Sequence, residues 1–158
     1  MPPPNTILLA GAPNLPQEVN ASESITPGHL VEFVPSGGSQ GLLRKHATAN
    51  GNGAPWFARE SLTPDRFVSQ EPKDVPYLVN ETVRWMQCRP GDLVLAILPA
   101  NAAAIVAGDD LASNGDGTLK KNIPGSQGTN ITCIVAKAAE AVNNSAGSTT
   151  VRIRVYAV

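Results

Sequence analysis

Charge is scarce in this chain. Only 16% of its 158 residues are Asp, Glu, Lys or Arg, against roughly 25% in ordinary soluble domains. Twelve basic residues nearly cancel thirteen acidic ones, leaving a net charge of −1. Such a balance offers no basic stripe and argues against binding dominated by nucleic-acid phosphates. Aromatics are fewer still, at 4%, which argues against sugar recognition by ring stacking. No run approaches the roughly 18 consecutive apolar residues of a membrane span, because Pro99 and Asn101 interrupt the most apolar segment, Leu93 to Val106. The start has no basic region ahead of a long apolar run, so it is not read as a secretory signal. Cys88 and Cys133 lie far apart without a CxxC partner. One disulfide could join them, but two buried thiols are the expectation for a chain made in a cytoplasm.

Motifs of catalysis and cofactor binding are lacking as well. His29 and His46 are the two histidines, and neither falls in an HExxH, GxSxG or Cys–His pattern. DDLASNGDG at 109–117 has oxygen ligands enough to suggest calcium. A calcium loop, however, needs alternating oxygen donors and an acidic twelfth residue, and counting from Asp109 puts Lys120 there. A glycine-rich turn is the simpler reading. No GxxxxGK[ST] or strand-following GxGxxG is present. Lys120-Lys121 lacks the flanking methionines of a lipoyl or biotinyl carrier tip. The expectation is a protein with no catalytic residues, no metal and no cofactor.

Turn formers are what the chain has in plenty, with 14 Gly and 14 Pro. They separate short alternating or apolar runs that read as strands. HLVEFVP, LLRKHATA and PWFARESL are the first three, and NGNG at 50–53 is a strong turn signal between the last two. Residues 64–79 are broken by Pro64, Pro72 and Pro76 and cannot be one helix. TVRWMQC alternates, RPGD makes a Pro-Gly turn, LVLAILP is a buried strand, and Ala102 to Val106 is apolar again. AGDDLASNGDG reads as turn residues. ITCIVAKAAEAV divides between a β-branched start, which favours a strand, and an Ala-rich half with helix propensity. NNSAGS is a loop. TTVRIRVYAV is the clearest strand, with Val151, Ile153, Val155 and Ala157 on one side and Arg152, Arg154 and Tyr156 on the other. Eight to ten short strands with little helix predict a mainly β fold, a small barrel or sandwich. Trp56 and Trp85 fall in strand-like runs and are expected in the core.

The opening MPPPNTILLAGAPNLP stands apart. Five of its sixteen residues are proline, which fixes φ and removes a backbone donor. QEVNASESITP then reads as a polar linker. The expected organisation is an extended arm and linker over 1–24 and a single β-rich head over 25–158. Sixteen extended residues reach about 50 Å, whereas the head's radius of gyration should be about 15 Å. Such an arm can cross onto a neighbour, and its stiffness reduces the entropy lost on docking. Its candidate contact residues are Pro2, Pro3, Pro4, Asn5, Thr6, Ile7, Leu8, Leu9, Ala10, Pro13 and Leu15. Thr6 to Ala10, free of proline, could add to a sheet edge, with Ile7 and Leu9 on one side and Leu8 on the other.

Several segments together resemble the capsid decoration, or cement, proteins of tailed bacteriophages. They are ITPGHLVEF, RKHATANGNGAPWFARES, DVPYLVNETVRWMQCRPGDLVLAIL, VAGDDLASNGDGTLK and the closing IVAKAAEAVNNSAGSTTVRIRVYAV. Each is weak alone; the ordered set covers residues 25–158. Asn80 departs from the glycine expected before the acidic residue, but Asn tolerates the same left-handed conformation. The resemblance implies a β-tulip head that assembles as a homotrimer on the outer surface of the virion capsid. Its partners would be the major capsid protein and itself, with no nucleic acid and no membrane. Its role would be to hold capsomers together against the pressure of packaged DNA. The competing expectation is a receptor- or carbohydrate-binding β module of a tail structure.

Overall fold

The computed structural model describes residues 6–11, 16–38, 40–61, 71–123 and 133–158. Within them the fold is mainly β, with no helix. Strand β7 (Leu93–Leu98), apolar along its whole length, is central. β1 (Leu8–Ala10) pairs with one edge of it and β13 (Val151–Ala157) with the other, both antiparallel. β11 (Ala136–Ala138), β9 (Asp110–Ser113) and β10 (Leu119–Lys121) continue outward from β13, giving a six-stranded sheet in the order β1-β7-β13-β11-β9-β10. β2 (Gln17–Asn20), β6 (Thr82–Gln87) and β5 (Trp56–Ala58) form a three-stranded sheet. Two pairs complete the set: β3 (Val31–Phe33) with β4 (Leu43–Lys45), and β8 (Ala102–Ile105) with β12 (Val142–Asn144). The sheets are open, and none of those described closes into a barrel.

Alternation assigns each face. Val94, Ala96 and Leu98 of β7 join Ile153, Val155 and Ala157 of β13 in the larger of two cores. Leu95 and Ile97 point to the other face yet are also buried, which is why the strand reads as a continuous apolar run. The turn at 26–28 covers them. Gly28 has φ of 93°, and a Cβ there would meet the Leu95 carbonyl at 2.8 Å, so glycine both permits the turn and allows it to lie on the sheet. Arg152 clamps this cover. Its guanidinium donates to the Pro27 carbonyl (3.1 Å), to the Asp74 carboxylate (2.9 Å) and to the Lys73 carbonyl.

The three-stranded sheet lies between the two cores. Phe57 and Met86, opposite each other across β5 and β6, enter the larger core. Ala58, Val83 and Trp85 face the smaller one, which the β3–β4 hairpin covers with Val31 and Leu43. Phe33, Trp56 and Trp85 form a ring cluster there, with centroids 5.0 to 5.7 Å apart. Trp85 is buried and Trp56 half-buried, in keeping with the core role expected of both.

Several local readings change. The polar linker at 17–27 contains β2, which pairs with β6 from Gln17↔Trp85 to Asn20↔Thr82. The turn-rich 109–117 segment begins with β9, and part of the NNSAGS loop belongs to β12. The divided reading of ITCIVAKAAEAV resolves to strand, Ala136–Ala138, in its Ala-rich half. Residues 62–70, which overlap the start of the proline-broken stretch, and 124–132 lie outside the described residues. Asn80 does adopt the left-handed conformation, at φ of 65°. No disulfide joins Cys88 and Cys133, and burial pushes the Cys88 thiol up to about 12.

Candidate interaction surface

The N-terminal segment is where the sequence placed function, and its described part has a definite seat. Thr6, Ile7, Leu8, Leu9 and Ala10 lie along the β7 edge of the same chain. Leu8 is opposite Val94 and Ala10 opposite Leu93, and the Leu95 N–H donates to the Ile7 carbonyl at 2.8 Å. The expected addition of this segment to a sheet edge therefore occurs on the chain's own head. Ile7 is fully buried in the larger core and Leu8 packs against it, while Leu9 is half-buried and Ala10 exposed. Pro2, Pro3, Pro4, Asn5, Pro13 and Leu15 lie outside the described residues.

A buried carboxylate fixes the entry to this strand. Glu60, just beyond β5, accepts from the Ile7 N–H (3.2 Å) and the Thr6 hydroxyl (3.3 Å) through one oxygen. Arg59 donates to the other oxygen at 2.9 Å. The exit is equally tight: a Cβ at Gly11 would lie 2.2 Å from an Asp92 carboxylate oxygen. Sequence reasoning missed Glu60, since 53 residues separate it from Ile7.

Neither histidine was paired from sequence, and the structure gives both partners. His46 Nδ1 and Ser113 Oγ share a hydrogen bond of 2.8 Å, and His46 Nε2 lies 3.6 Å from Glu32. Hydroxyl, imidazole and carboxylate in line suggest nucleophilic chemistry, but an attacking hydroxyl needs a face open to substrate. Ser113 is fully buried and accepts the Gly115 N–H at 3.1 Å. The arrangement thus ties β9 to the β3–β4 hairpin. His29 accepts the Thr26 N–H through Nδ1 at 3.1 Å, closing the turn over β7. Burial, helped by the charge of Lys45, lowers its pKa to about 4.

The acidic 109–117 cluster is consumed locally. Asp109 pairs with Lys121 (2.7 Å), Asp110 with Lys137 (2.5 Å), and Asp116 accepts from the Thr118 N–H at 2.9 Å. Among the described residues no group of three or more His, Cys, Asp or Glu is placed to hold a metal. No helix among them is long and apolar enough to cross a membrane.

Comparison with protein-family models gives no match, and comparison with curated proteins gives none either. The fold does have a counterpart among solved structures. The chain is similar to the N base of the head fiber gp8.5 of bacteriophage phi29, with a TM-score of 0.55. The likeness covers 91% of this chain and 93% of that one at 12% identity. It establishes a shared fold over nearly the whole length of both.

Proposed function

We propose that this chain is a structural protein of a tailed-phage virion, bound to the outer capsid surface and cementing neighbouring capsomers as a homotrimer. The fold likeness to a head-fiber base supports the reading, because it extends over nine-tenths of both chains. The ordered resemblance of residues 25–158 to capsid decoration proteins supports it from the sequence side. In this reading the protein is not an enzyme, and its partners are the major capsid protein and its own copies. Three subunits would combine individually weak contacts into slow dissociation.

The seat of β1 relocates the arm. Thr6 to Ala10 are committed to the head, so Pro2, Pro3, Pro4 and Asn5 are the arm residues left to reach capsid. Met1 to Asn5 span about 18 Å when extended, enough for the adjoining capsomer surface. Pro13 and Leu15, between β1 and β2, are the second contact. Co-sedimentation with capsids lacking the protein tests the reading. Saturable binding by the full chain, weakened on deleting residues 2–5, is the expected result. Failure to bind expanded capsids would overturn it. The deletion stops at residue 5 because a longer one would also remove Ile7 from the core.

A further inference from the structure

A cavity of about 340 Å³ opens where the NGNG turn, the start of β8, the end of β9 and the end of β10 converge. Its polar lining is Asn50, Asn101, Asn114, Asn122, Lys120 and Lys121. Four carboxamides beside two ammonium groups is an unusual concentration in a chain so poor in charge. We propose that this cavity binds an acidic sugar, a polyhydroxylated ring carrying one carboxylate, independently of how the protein holds the capsid.

The charge balance points to a single anionic group. Lys121 is neutralised by Asp109 at 2.7 Å. Lys120 pairs with no carboxylate among the described residues. One uncompensated ammonium suits a carboxylate better than a doubly charged phosphate. The main chain argues the same way, since phosphate sites generally present backbone N–H groups. Here the N–H groups of all four asparagines are used inside the fold, donating to the carbonyls of Ser113, Gly147, Thr118 and Asp110.

The carboxamides supply the rest. Those of Asn101 and Asn122 make no hydrogen bond among the described residues, so each offers a donor and an acceptor, the pattern that neighbouring sugar hydroxyls match. Asn50 and Asn101 are held at φ of 56° and 54°, a backbone conformation uncommon outside glycine. Pro99 and Ala103 add an apolar wall for the C–H face of a ring. The volume lies at the small end for ligand sites, consistent with one or two sugar rings. No aromatic residue lines the cavity, so the aromatic-poor composition does not count against sugar binding here.

Saturation-transfer NMR and calorimetry on the full chain with glucuronate, N-acetylneuraminate, glucose and inorganic phosphate test the proposal. Saturable binding of an acidic sugar is expected, with glucose at least about tenfold weaker. Lys120→Gln and, without a change of charge, Asn122→Ala should each weaken it about tenfold. Lys137→Gln, at a lysine already paired with Asp110, should leave it unchanged. Absence of saturable binding overturns the proposal, as does equal competition by phosphate or an equal loss in Lys137→Gln. Lys120→Gln should still co-sediment with capsids. A variant that lost capsid binding while the parent bound no sugar would make the cavity a protein contact and overturn the sugar reading.

Discussion

His29 is the residue whose protonation the fold resists most clearly. Its ring is half-buried and accepts a hydrogen bond from Thr26; the charges of Lys45 and Arg152 oppose its protonation and outweigh that of Asp116, which favours it. With its pKa lowered from 6.5 to about 4, the unfolded chain binds a proton in that window that the folded chain refuses. Folding therefore loses free energy as pH falls from 6.5 toward 4, and the full contribution is present above 6.5. Denaturation midpoints should drop across this interval. His29→Asn, which keeps an acceptor for the Thr26 N–H, should remove most of the slope; an unchanged slope would place its origin elsewhere. Asp116 and Asp74 titrate in the next window down. Burial works against both, but hydrogen bonds from Thr118, and from Lys73 and Arg152, hold their carboxyls below the usual range. Their contributions disappear only as pH falls through that lower range.

At the scale of elements, β1 has the most to test. Ile7 is fully buried, so Ile7→Ala should cost about 2–5 kcal/mol. Glu60→Ala leaves the Ile7 N–H without its acceptor and should cost about 1–3 kcal/mol. Deleting residues 2–5 should leave the denaturation midpoint nearly unchanged. Urea titrations of the three would separate a structural strand from a removable arm. The same strand shows what sequence can carry. β13 was legible because alternation is written into it: Ile153, Val155 and Ala157 are buried while Arg154 and Tyr156 are exposed. β7 was legible because both its faces are covered. β2 was not, because its QEVN residues are mostly exposed and only main-chain pairing with β6 makes them a strand. β9 hid between turn formers, with Leu111 and Ala112 its only apolar residues. The apolar character of Ile7 predicted burial, but nothing local says that its partner begins 86 residues later, at Leu93. The asparagine cavity has no contiguous motif, since four separate stretches of chain contribute to it.

At the scale of the molecule, the proposed trimer should appear in light scattering as three times the 16.5 kDa chain mass, and a monomer at high concentration would refute that part of the reading. A trimer need not use the N-terminal strand, because β7 already has a partner on each edge. That arrangement has another consequence. Among the described strands β1 comes first in the chain and β13 last, and β7 lies between them in the sheet. During synthesis β7 therefore emerges with only β1 beside it, and its other edge stays unpaired until β13 follows. The six-stranded sheet cannot be completed until β13 has been made, so its strands should come together late and not one hairpin at a time. Until then, an exposed β7 edge must be kept from pairing with other nascent copies.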